Sequence, residues 1–227
     1  MFNQKWLERV GPTLFPSGAV FAVQRHDSGV ELPPPTTARL EHAVEKRQRE
    51  FCAGRFAAKV ALEKLGIVDT AVPMAADRSP TWPSGIVGSI THTAELAVCV
   101  VARKADVSAL GIDLEVTGAV PPEIWDSVFT KDEIAALNAR AVAERGPLAT
   151  LIFSAKEAFY KMQYPLTHQW VEFHAAEVSI NESGGLFELA CAESSVARLL
   201  GGRNFAGHYA AGPELIVTAM HLTGPEK

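Results

Sequence analysis

The chain has 227 residues, of which 48% are hydrophobic and 21% charged, and its formal net charge is −5. This length suits one large domain or two small ones and is sufficient for a sizeable core. The acidic balance argues against a general nucleic-acid-binding protein, which would normally be basic. Cys52, Cys99 and Cys191 lie far apart and show neither zinc-binding spacing nor a disulfide framework, which favours reduced thiols.

The sequence also lacks the patterns of exported and membrane-spanning chains. The stretch MFNQKWLERV at its start contains no apolar core of a signal peptide. The longest useful apolar run, LAVCVVA, is too short to span a membrane. We therefore predict a cytoplasmic protein without a membrane span. We also expect it to be a monomer.

Hydrophobic patterning predicts a long helix and a small antiparallel sheet in the first half of the chain. An early strand is expected over residues 19–26, and a long helical region runs from Thr37 to Leu65, where Gly66 ends it. A loop rich in proline and glycine follows at residues 78–85. Three strand-like runs come next, IVGSITHT, ELAVCVVAR and GIDLE.

The second half shows the same kind of pattern. A capping box from Thr130 to Glu133 opens a short helix. A longer helix is expected from about Pro147 to Gln163, ending before Pro165. The strand-like runs AEVSI, LFELA and ELIVTAM follow.

Together these elements predict an α+β fold. We expect two similar α/β halves, each a long helix packed on a small antiparallel sheet. The expected domains are residues 1–113 and 114–227. The simplest site for a ligand in such an architecture is the junction of the two halves, where we expect the active site.

Two carboxylates in GIDLE, Asp113 and Glu115, are the first candidates for chemistry. Side chains of a strand alternate between its faces, so these two project to the same side. Neighbouring carboxylates repel each other and are costly to desolvate. A metal ion is the usual compensation, and the pair therefore indicates a metal site.

A second set of candidates lies in FSAKEAFYK. Thr150, Ser154, Glu157 and Lys161 share one helical stripe, separate from the apolar stripe of the same helix. One interpretation is a solvated Glu157–Lys161 pair of little energetic consequence. The functional interpretation is a third carboxylate, as metal ligand or general base, with an ammonium beside it. Mg²⁺, carboxylates and a lysine are typical of phosphoryl-transfer sites.

Several basic residues are candidates for phosphate binding. Arg47 and Arg55 lie on the first long helix, Arg78 lies in the loop, and His92 follows a strand. Guanidinium groups bind phosphate in a bidentate manner, although a solvated helix face is by itself the stronger explanation of the two helical arginines, since this stretch is generally charged. A single histidine is more often structural than a ligand. All four side chains would suit one polyanionic ligand.

Four blocks, KRQREFCAGR, RSPTWPSGIVGSITHT, GIDLE and FSAKEAFYK, together resemble the 4′-phosphopantetheinyl transferases of the larger, two-half class. They occur in the family's order, and the resemblance extends from Arg47 to about Trp170. The WPSGIVGSITHT block is most similar to the enterobactin synthase component D type. This chain has Phe153 and Arg78 where many members have Trp and some have Lys.

The resemblance implies an enzyme that moves 4′-phosphopantetheine from coenzyme A to a serine of apo acyl or peptidyl carrier proteins. Such carriers serve siderophore, polyketide or fatty-acid synthesis, and adenosine 3′,5′-bisphosphate is the product that leaves. The family's Mg²⁺ ligands match Asp113, Glu115 and Glu157, and its catalytic positions match Glu157 and Lys161. The positions implied to bind coenzyme A are Arg47, Arg55, Arg78, Thr91, His92, Lys156 and Lys161. The resemblance thus assigns binding of the nucleotide phosphates to residues 1–113, and the metal and the catalytic helix to residues 114–227. Phe153, Tyr160 and Trp170 are candidates for the lining of the pantetheine channel.

Two other functions fit the same residues. The D-x-E and E-x-x-x-K spacings also suit a Mg²⁺-dependent phosphodiesterase or nuclease, although the acidic balance argues against nucleic acid as a partner. A non-enzymatic module that binds carrier proteins or acyl-coenzyme A, with structural acids, is the third possibility.

Overall fold

The computed structural model describes residues 2–26 and 44–223. The α-helices in these ranges are α1 (Gln4–Val10), α2 (Glu45–Lys64), α3 (Trp125–Val128), α4 (Lys131–Asn138), α5 (Val142–Thr167) and α6 (Ser194–Leu200). The strands are β1 (Val20–Arg25), β2 (Ile86–His92), β3 (Leu96–Arg103), β4 (Val107–Val116), β5 (Ala176–Asn181), β6 (Leu186–Cys191), β7 (Asn204–Ala211) and β8 (Leu215–Thr223). No helix in the described ranges is long and apolar enough to cross a membrane.

Two compact units divide the chain, one formed by Met1–Leu110 with Leu222–Lys227 and the other by Gly111–His221. The first contains a sheet of order β1-β3-β2, and the second is built around a sheet of order β4-β8-β7-β6-β5. Every strand pair whose register is described is antiparallel. The mixture of helices and antiparallel sheets confirms the predicted α+β class. The domain division 1–113 and 114–227, with the roles assigned to it, stays a prediction.

In the first unit, helix α2 packs on the three-stranded sheet. Its buried face includes Ala57, Ala58 and Ala61, which pack with Ala22 of β1 and Cys99 of β3. Small side chains let a helix approach a sheet closely, and the central strand β3 is accordingly buried over seven of its eight residues. The register Val20↔Val101 in one pair and Ile86↔Arg103 in the other fixes β1 and β2 on its two edges.

The predicted helix of the first half is confirmed from Glu45 onward, and Gly66 follows its end with φ of 79°. A left-handed glycine is the common way for a helix to stop, since it carries no Cβ that would clash. The part of the prediction from Thr37 to residue 43 lies outside the described residues.

In the second unit, helix α5 is longer than predicted, because it begins at Val142 and continues to Thr167 through both Pro147 and Pro165. The prediction that it runs from Pro147 and ends before Pro165 is therefore wrong. Each proline removes one main-chain hydrogen bond close to a helix end, where fewer bonds depend on it than in the middle. The helix ends at Thr167, and the residue that follows it, His168, has a left-handed φ of 52°.

Strands β5, β6 and β8 and the capping box of α4 confirm the remaining predictions for this half. Thr130 accepts from the main-chain N–H of Glu133, and the Glu133 carboxylate accepts from that of Thr130. Helix α6 and strand β7 were not predicted. In β7 the phenyl ring of Phe187 covers Gly207, where a Cβ would lie 2.1 Å from the ring. The apolar side chain at this point of the sheet therefore belongs to β6, and β7 itself has a glycine, which weakens its strand pattern.

Candidate active site

Strand β4 and helix α5 approach each other closely at Gly111. A Cβ built on this residue would lie 1.9 Å from the carbonyl oxygen of Ala158 and 2.9 Å from the Cβ of Met162. Only a glycine therefore permits this separation of strand and helix. Since side chains alternate along β4, Asp113 and Glu115 project on the same side as Gly111, toward the part of α5 that carries Glu157 and Lys161.

Asp113 and Lys161 form an ion pair in this region. The ammonium of Lys161 donates to Oδ1 of Asp113 at 2.6 Å. The Asp113 side chain is 4% exposed and that of Lys161 26%, so the cation has the better access to solvent. Burial lowers the pKa of Lys161, but the charges of Asp113 and Glu157 outweigh burial and the net pKa is raised. Lys161 therefore stays protonated and acts as a counter-ion to the acids.

Glu115 and Glu157 share this environment. Burial raises the pKa of Glu115 to about 7, with further raising by Asp113 and Glu157 and an opposing effect from Lys161. Burial also raises the pKa of Glu157, with Lys161 opposing and Asp113 adding to the shift. These mutual effects indicate three carboxylates within electrostatic reach of one ammonium. The metal and catalytic residues predicted from sequence are thus brought together within the second unit.

The donor set fits a hard cation, although no three His, Cys, Asp or Glu side chains come close enough to hold a metal ion among the residues that the structure describes. Mg²⁺ usually takes one or two protein carboxylates and completes its shell with water and substrate phosphate oxygens. Asp113 and Glu115, on one face of β4, provide two such oxygen donors. A cage formed entirely by protein is not required for this ion.

The raised pKa of Glu115 predicts how stability depends on pH in metal-free protein. A carboxyl whose pKa is about 7 in the folded chain and 4.5 unfolded binds its proton more tightly when folded. Its contribution is therefore largest below pH 4.5 and is lost as pH rises through 7. We expect Glu115→Gln to remove this loss, so that the stability difference between wild type and variant grows in the variant's favour as pH rises.

Urea unfolding in a chelator, measured at several pH values across that window, tests this expectation. His26 and His221 have pKa values lowered by burial and act in the opposite direction. The informative quantity is therefore the difference between wild type and Glu115→Gln. A difference that does not change with pH would contradict the assignment.

The polar stripe of helix α5 divides into two parts. Thr150 accepts from the main-chain N–H of Gly118 at 3.1 Å and donates to the carbonyl of Gly146. The Ser154 hydroxyl lies 2.9 Å from that of Thr218. Both residues of α5 are fully buried and hydrogen-bonded, so this part of the stripe is structural. The charged pair Glu157 and Lys161 forms the other part.

A cavity of about 160 Å³ lies beside Glu157. Its lining includes Tyr160, Trp170 and Phe173. The rings of Tyr160 and Trp170 meet edge to face at 5.2 Å, and Trp170 is 66% exposed. Phe153 contacts the ring of Phe173 at 5.7 Å but does not line the cavity. Two of the three aromatic residues predicted for the channel therefore border a mostly apolar cavity next to a carboxylate.

In the first unit, Arg47 and His92 lie side by side. Nη1 of Arg47 is 3.3 Å from Nε2 of His92. Because a guanidinium has only donors, this contact is a hydrogen bond only where Nε2 of His92 is the acceptor. Arg47 also lies 3.7 Å from Glu50. Thr91 precedes His92 on β2 and is buried. Two of the predicted phosphate-binding residues, Arg47 of α2 and His92 of β2, therefore meet at one place.

Arg55 lies about two turns further along α2 and is 7% exposed. Its guanidinium stacks over the Phe51 ring, 4.4 Å from the centroid. Burial lowers its pKa to about 10, with an opposing effect from Cys99 and a further lowering by Arg47. Among the described residues, none accepts a hydrogen bond from its Nε. A buried cation with an unused hydrogen-bond donor destabilises the fold, unless a ligand accepts that hydrogen bond.

Arg78 occupies a strained position in its loop. Its φ is 71°, and its main-chain N–H donates to the carbonyl of Ala75 at 3.1 Å. The left-handed region costs a side-chain-bearing residue about 1–2 kcal/mol relative to glycine. Glycine would adopt this conformation without that cost, since it has no Cβ.

We expect Arg78→Gly to raise the free energy of unfolding by about 1 kcal/mol and to weaken coenzyme A binding. Arg78→Ala is the matched control, since it also removes the guanidinium but retains the strained conformation. The two variants should bind coenzyme A equally weakly and differ in stability. Equal stability, measured by urea unfolding, would contradict the strain argument.

None of the described side-chain contacts of Lys156 is to Asp113, Glu115 or Glu157. Its ammonium is buried and contacts Glu133, a residue that the sequence indicated only as part of a capping box. Glu133 and Lys156 are 23 residues apart and share no motif, so their pairing had no signal in the sequence.

Residues 36–102 match the family model of the 4'-phosphopantetheinyl transferase N-terminal domain. Residues 109–210 match the model of the 4'-phosphopantetheinyl transferase superfamily. 4'-phosphopantetheinyl transferase Svp of Streptomyces mobaraensis is 36% identical, over 93% of this chain and 89% of that protein. 4'-phosphopantetheinyl transferase PptT of Mycobacterium tuberculosis is 31% identical, over 74% of this chain and 73% of that protein.

Enterobactin synthase component D of Salmonella typhi is 40% identical, over 56% of this chain and 53% of that protein. Among solved structures, holo-[acyl-carrier-protein] synthase of Thermotoga maritima overlaps 53% of this chain and 66% of that chain, with a TM-score of 0.36 and 15% identity.

Proposed function

Because the chain belongs to the 4′-phosphopantetheinyl transferase family, we propose that it transfers 4′-phosphopantetheine from coenzyme A to a serine of apo acyl or peptidyl carrier proteins. The observation that carries this proposal is the grouping of Asp113, Glu115, Glu157 and Lys161 where β4 meets α5. Three carboxylates and an ammonium suit the transfer of a phosphoryl-linked group.

In the proposed reaction, the serine hydroxyl oxygen of the carrier forms a bond to the β-phosphorus of coenzyme A. The bond from that phosphorus to the oxygen bridging the two phosphates breaks, and adenosine 3′,5′-bisphosphate leaves. The serine proton passes to the Glu157 carboxylate, directly or through a water. The raised pKa of Glu157 makes it a better proton acceptor than an ordinary carboxylate.

Mg²⁺, when bound, supplies positive charge that neutralises the pyrophosphate. We propose that Asp113 and Glu115 hold it, with Glu157 as a third ligand or as the base. The Lys161 ammonium, now beside Asp113, would donate to the pyrophosphate and stabilise the negative charge that develops on the leaving phosphate. The Asp113 carboxylate would keep Lys161 oriented until the substrate arrives.

The nucleotide phosphates are assigned to the first unit. Arg47 and His92 meet at 3.3 Å, and the orphaned Nε of the buried Arg55 would be satisfied by a phosphate oxygen. We include Thr91 and Arg78 in this group by the family resemblance. In the second unit, the cavity bordered by Tyr160 and Trp170 is suited to the pantetheine arm, since it is largely apolar and adjoins Glu157.

Relatives named enterobactin synthase component D suggest carriers of siderophore synthesis, and polyketide and fatty-acid carriers are the other candidates. We propose that the protein acts in the cytoplasm as a monomer.

The test is to incubate purified protein with coenzyme A, Mg²⁺ and a panel of apo-carriers, and to measure carrier mass. We expect the carrier to gain the mass of phosphopantetheine and adenosine 3′,5′-bisphosphate to be released. We expect a chelator to abolish both the mass gain and the release. A carrier with alanine in place of its serine is the control. Cleavage of coenzyme A without carrier modification would favour a phosphodiesterase, and carrier binding without any reaction would favour a binding module.

A further inference from the structure

The ammonium of Lys156 is completely satisfied inside the second unit. It donates to Oε2 of Glu133 at 2.7 Å, to the carbonyl of Val128 at 2.9 Å and to the carbonyl of Phe173 at 2.9 Å. An ammonium has three N–H donors, and all three are used. The side chain is 1% exposed. Lys156 therefore has no donor left for a phosphate of coenzyme A.

Both carboxylate oxygens of Glu133 also accept hydrogen bonds. Its Oε2 also accepts from the main-chain N–H of Thr130 at 2.8 Å, and its Oε1 accepts from that of Val178 at 2.8 Å. One carboxylate thus completes the N-terminal cap of α4, holds the edge strand β5 and neutralises Lys156. Glu133 is 2% exposed, so the whole pair lies in a low-dielectric interior.

The pair is directly connected to the proposed active site. Lys156 precedes Glu157 in the same turn of α5, and both residues line the 160 Å³ cavity together with Phe173 and Ala176. The contacts of Lys156 therefore fix the cavity wall at Phe173 and, through Glu133, strand β5 at Val178. Movement of this network would displace Glu157 relative to anything that occupies the cavity.

We propose that the buried Glu133–Lys156 pair is a positioning device for Glu157 and the cavity wall, and that Lys156 is not a ligand of coenzyme A. This differs from the role in coenzyme A binding that the sequence suggested for Lys156. Its kinetic test rests on the proposed transferase activity, but coenzyme A affinity and stability test it independently of turnover.

A mispositioned base has a recognisable effect on kinetics. Displacement of a catalytic group by about 1 Å costs on the order of 10²-fold in rate, whereas loss of a phosphate contact weakens ligand binding. A positioning role therefore predicts lower kcat with unchanged affinity for coenzyme A. A ligand role predicts the reverse, and a purely structural role predicts lower stability with normal kcat in the folded molecules.

The experiment compares three variants: Glu133→Gln, Lys156→Met and the double variant that carries both changes. Lys161→Met is a separate control, because Lys161 is the lysine proposed to contact a phosphate. Unfolding temperature, coenzyme A affinity by calorimetry and kcat for carrier modification are measured, the last two well below the unfolding temperature. Because Lys156→Met leaves a buried carboxylate without its cation, we expect its unfolding temperature to fall by roughly 5–15 °C. The double variant should recover part of this loss, since the two residues are coupled.

For Glu133→Gln, which retains the shape of the side chain, we expect kcat to fall about tenfold or more and coenzyme A affinity to stay within about threefold of wild type. Lys156→Met should show the same pattern, or a larger fall in kcat, where it folds. Lys161→Met should instead weaken coenzyme A about tenfold. The proposal is overturned if Lys156→Met weakens coenzyme A as much as Lys161→Met does, or if Glu133→Gln has normal kcat. If no variant binds coenzyme A and wild type also fails, the proposed function itself is wrong.

Discussion

Asp113→Asn should reduce transfer of phosphopantetheine by about 10²–10³-fold or more, because it removes a preorganised charge at the proposed metal site. Asp113 is 3% exposed and holds Lys161 at 2.6 Å, so its charge acts both on the cation and on the orientation of the lysine. Asparagine keeps the shape and can still accept from Lys161, which makes the loss electrostatic. The measurement is carrier modification followed by mass, at saturating Mg²⁺.

Stability should change little in the same variant. Loss of the ion pair is unfavourable, but removal of one negative charge relieves the repulsion that raises the pKa values of Glu115 and Glu157. We expect these opposite effects to leave the free energy of unfolding within about 1 kcal/mol of wild type. Asp126→Asn, at an exposed position of the same unit, is the control and should retain full activity. Near-normal turnover in Asp113→Asn would refute the metal-site assignment.

The second large effect is expected for Gly111→Ala. The added methyl would lie 1.9 Å from the carbonyl oxygen of Ala158, a main-chain atom that cannot rotate away. Helix α5 must then move by about 1 Å or more, and it carries Glu157 and Lys161 on either side of Ala158. We expect a loss of about 1–3 kcal/mol in unfolding free energy from overpacking, and a fall of about 10²-fold in kcat from misplacement.

Gly202→Ala is the matched control for this substitution. Its added methyl would meet no atom within 4 Å, and the residue is not in the left-handed region. Its unfolding free energy should stay within about 0.5 kcal/mol of wild type and its kcat should be unchanged. If Gly111→Ala were as active and as stable as Gly202→Ala, the close approach of β4 and α5 would not be what places the site.

Local patterns of the sequence were sufficient to predict most of the helices and strands. The strands around Ser89 and Val100, the capping box at Thr130 and the left-handed stop at Gly66 are all determined by residues within a few positions of each other. The same holds for the shared face of Asp113 and Glu115, because alternation along a strand is a property of the backbone itself. These features need no distant partner, and a short window of sequence contains their cause.

The ends of α5 and the missed strand β7 show where such patterns are insufficient. Pro147 and Pro165 indicate helix ends when only neighbouring residues are considered, yet packing along the rest of the helix outweighs one lost hydrogen bond at each end. In β7, Gly207 weakens the strand signal, while the ring that covers it comes from Phe187 on the neighbouring strand. Tertiary contacts decided both cases.

The sequence by itself determined the family, the α+β class and the residue types of the candidate site. Only the tertiary structure decided what each charged residue contacts. Lys156 and Lys161 are five residues apart on one helix, yet one pairs with Glu133 in the interior and the other with Asp113 beside the proposed metal site. The physical reason is that a charge takes its role from the partners that surround it after folding, and those partners lie 23 and 48 residues away along the chain.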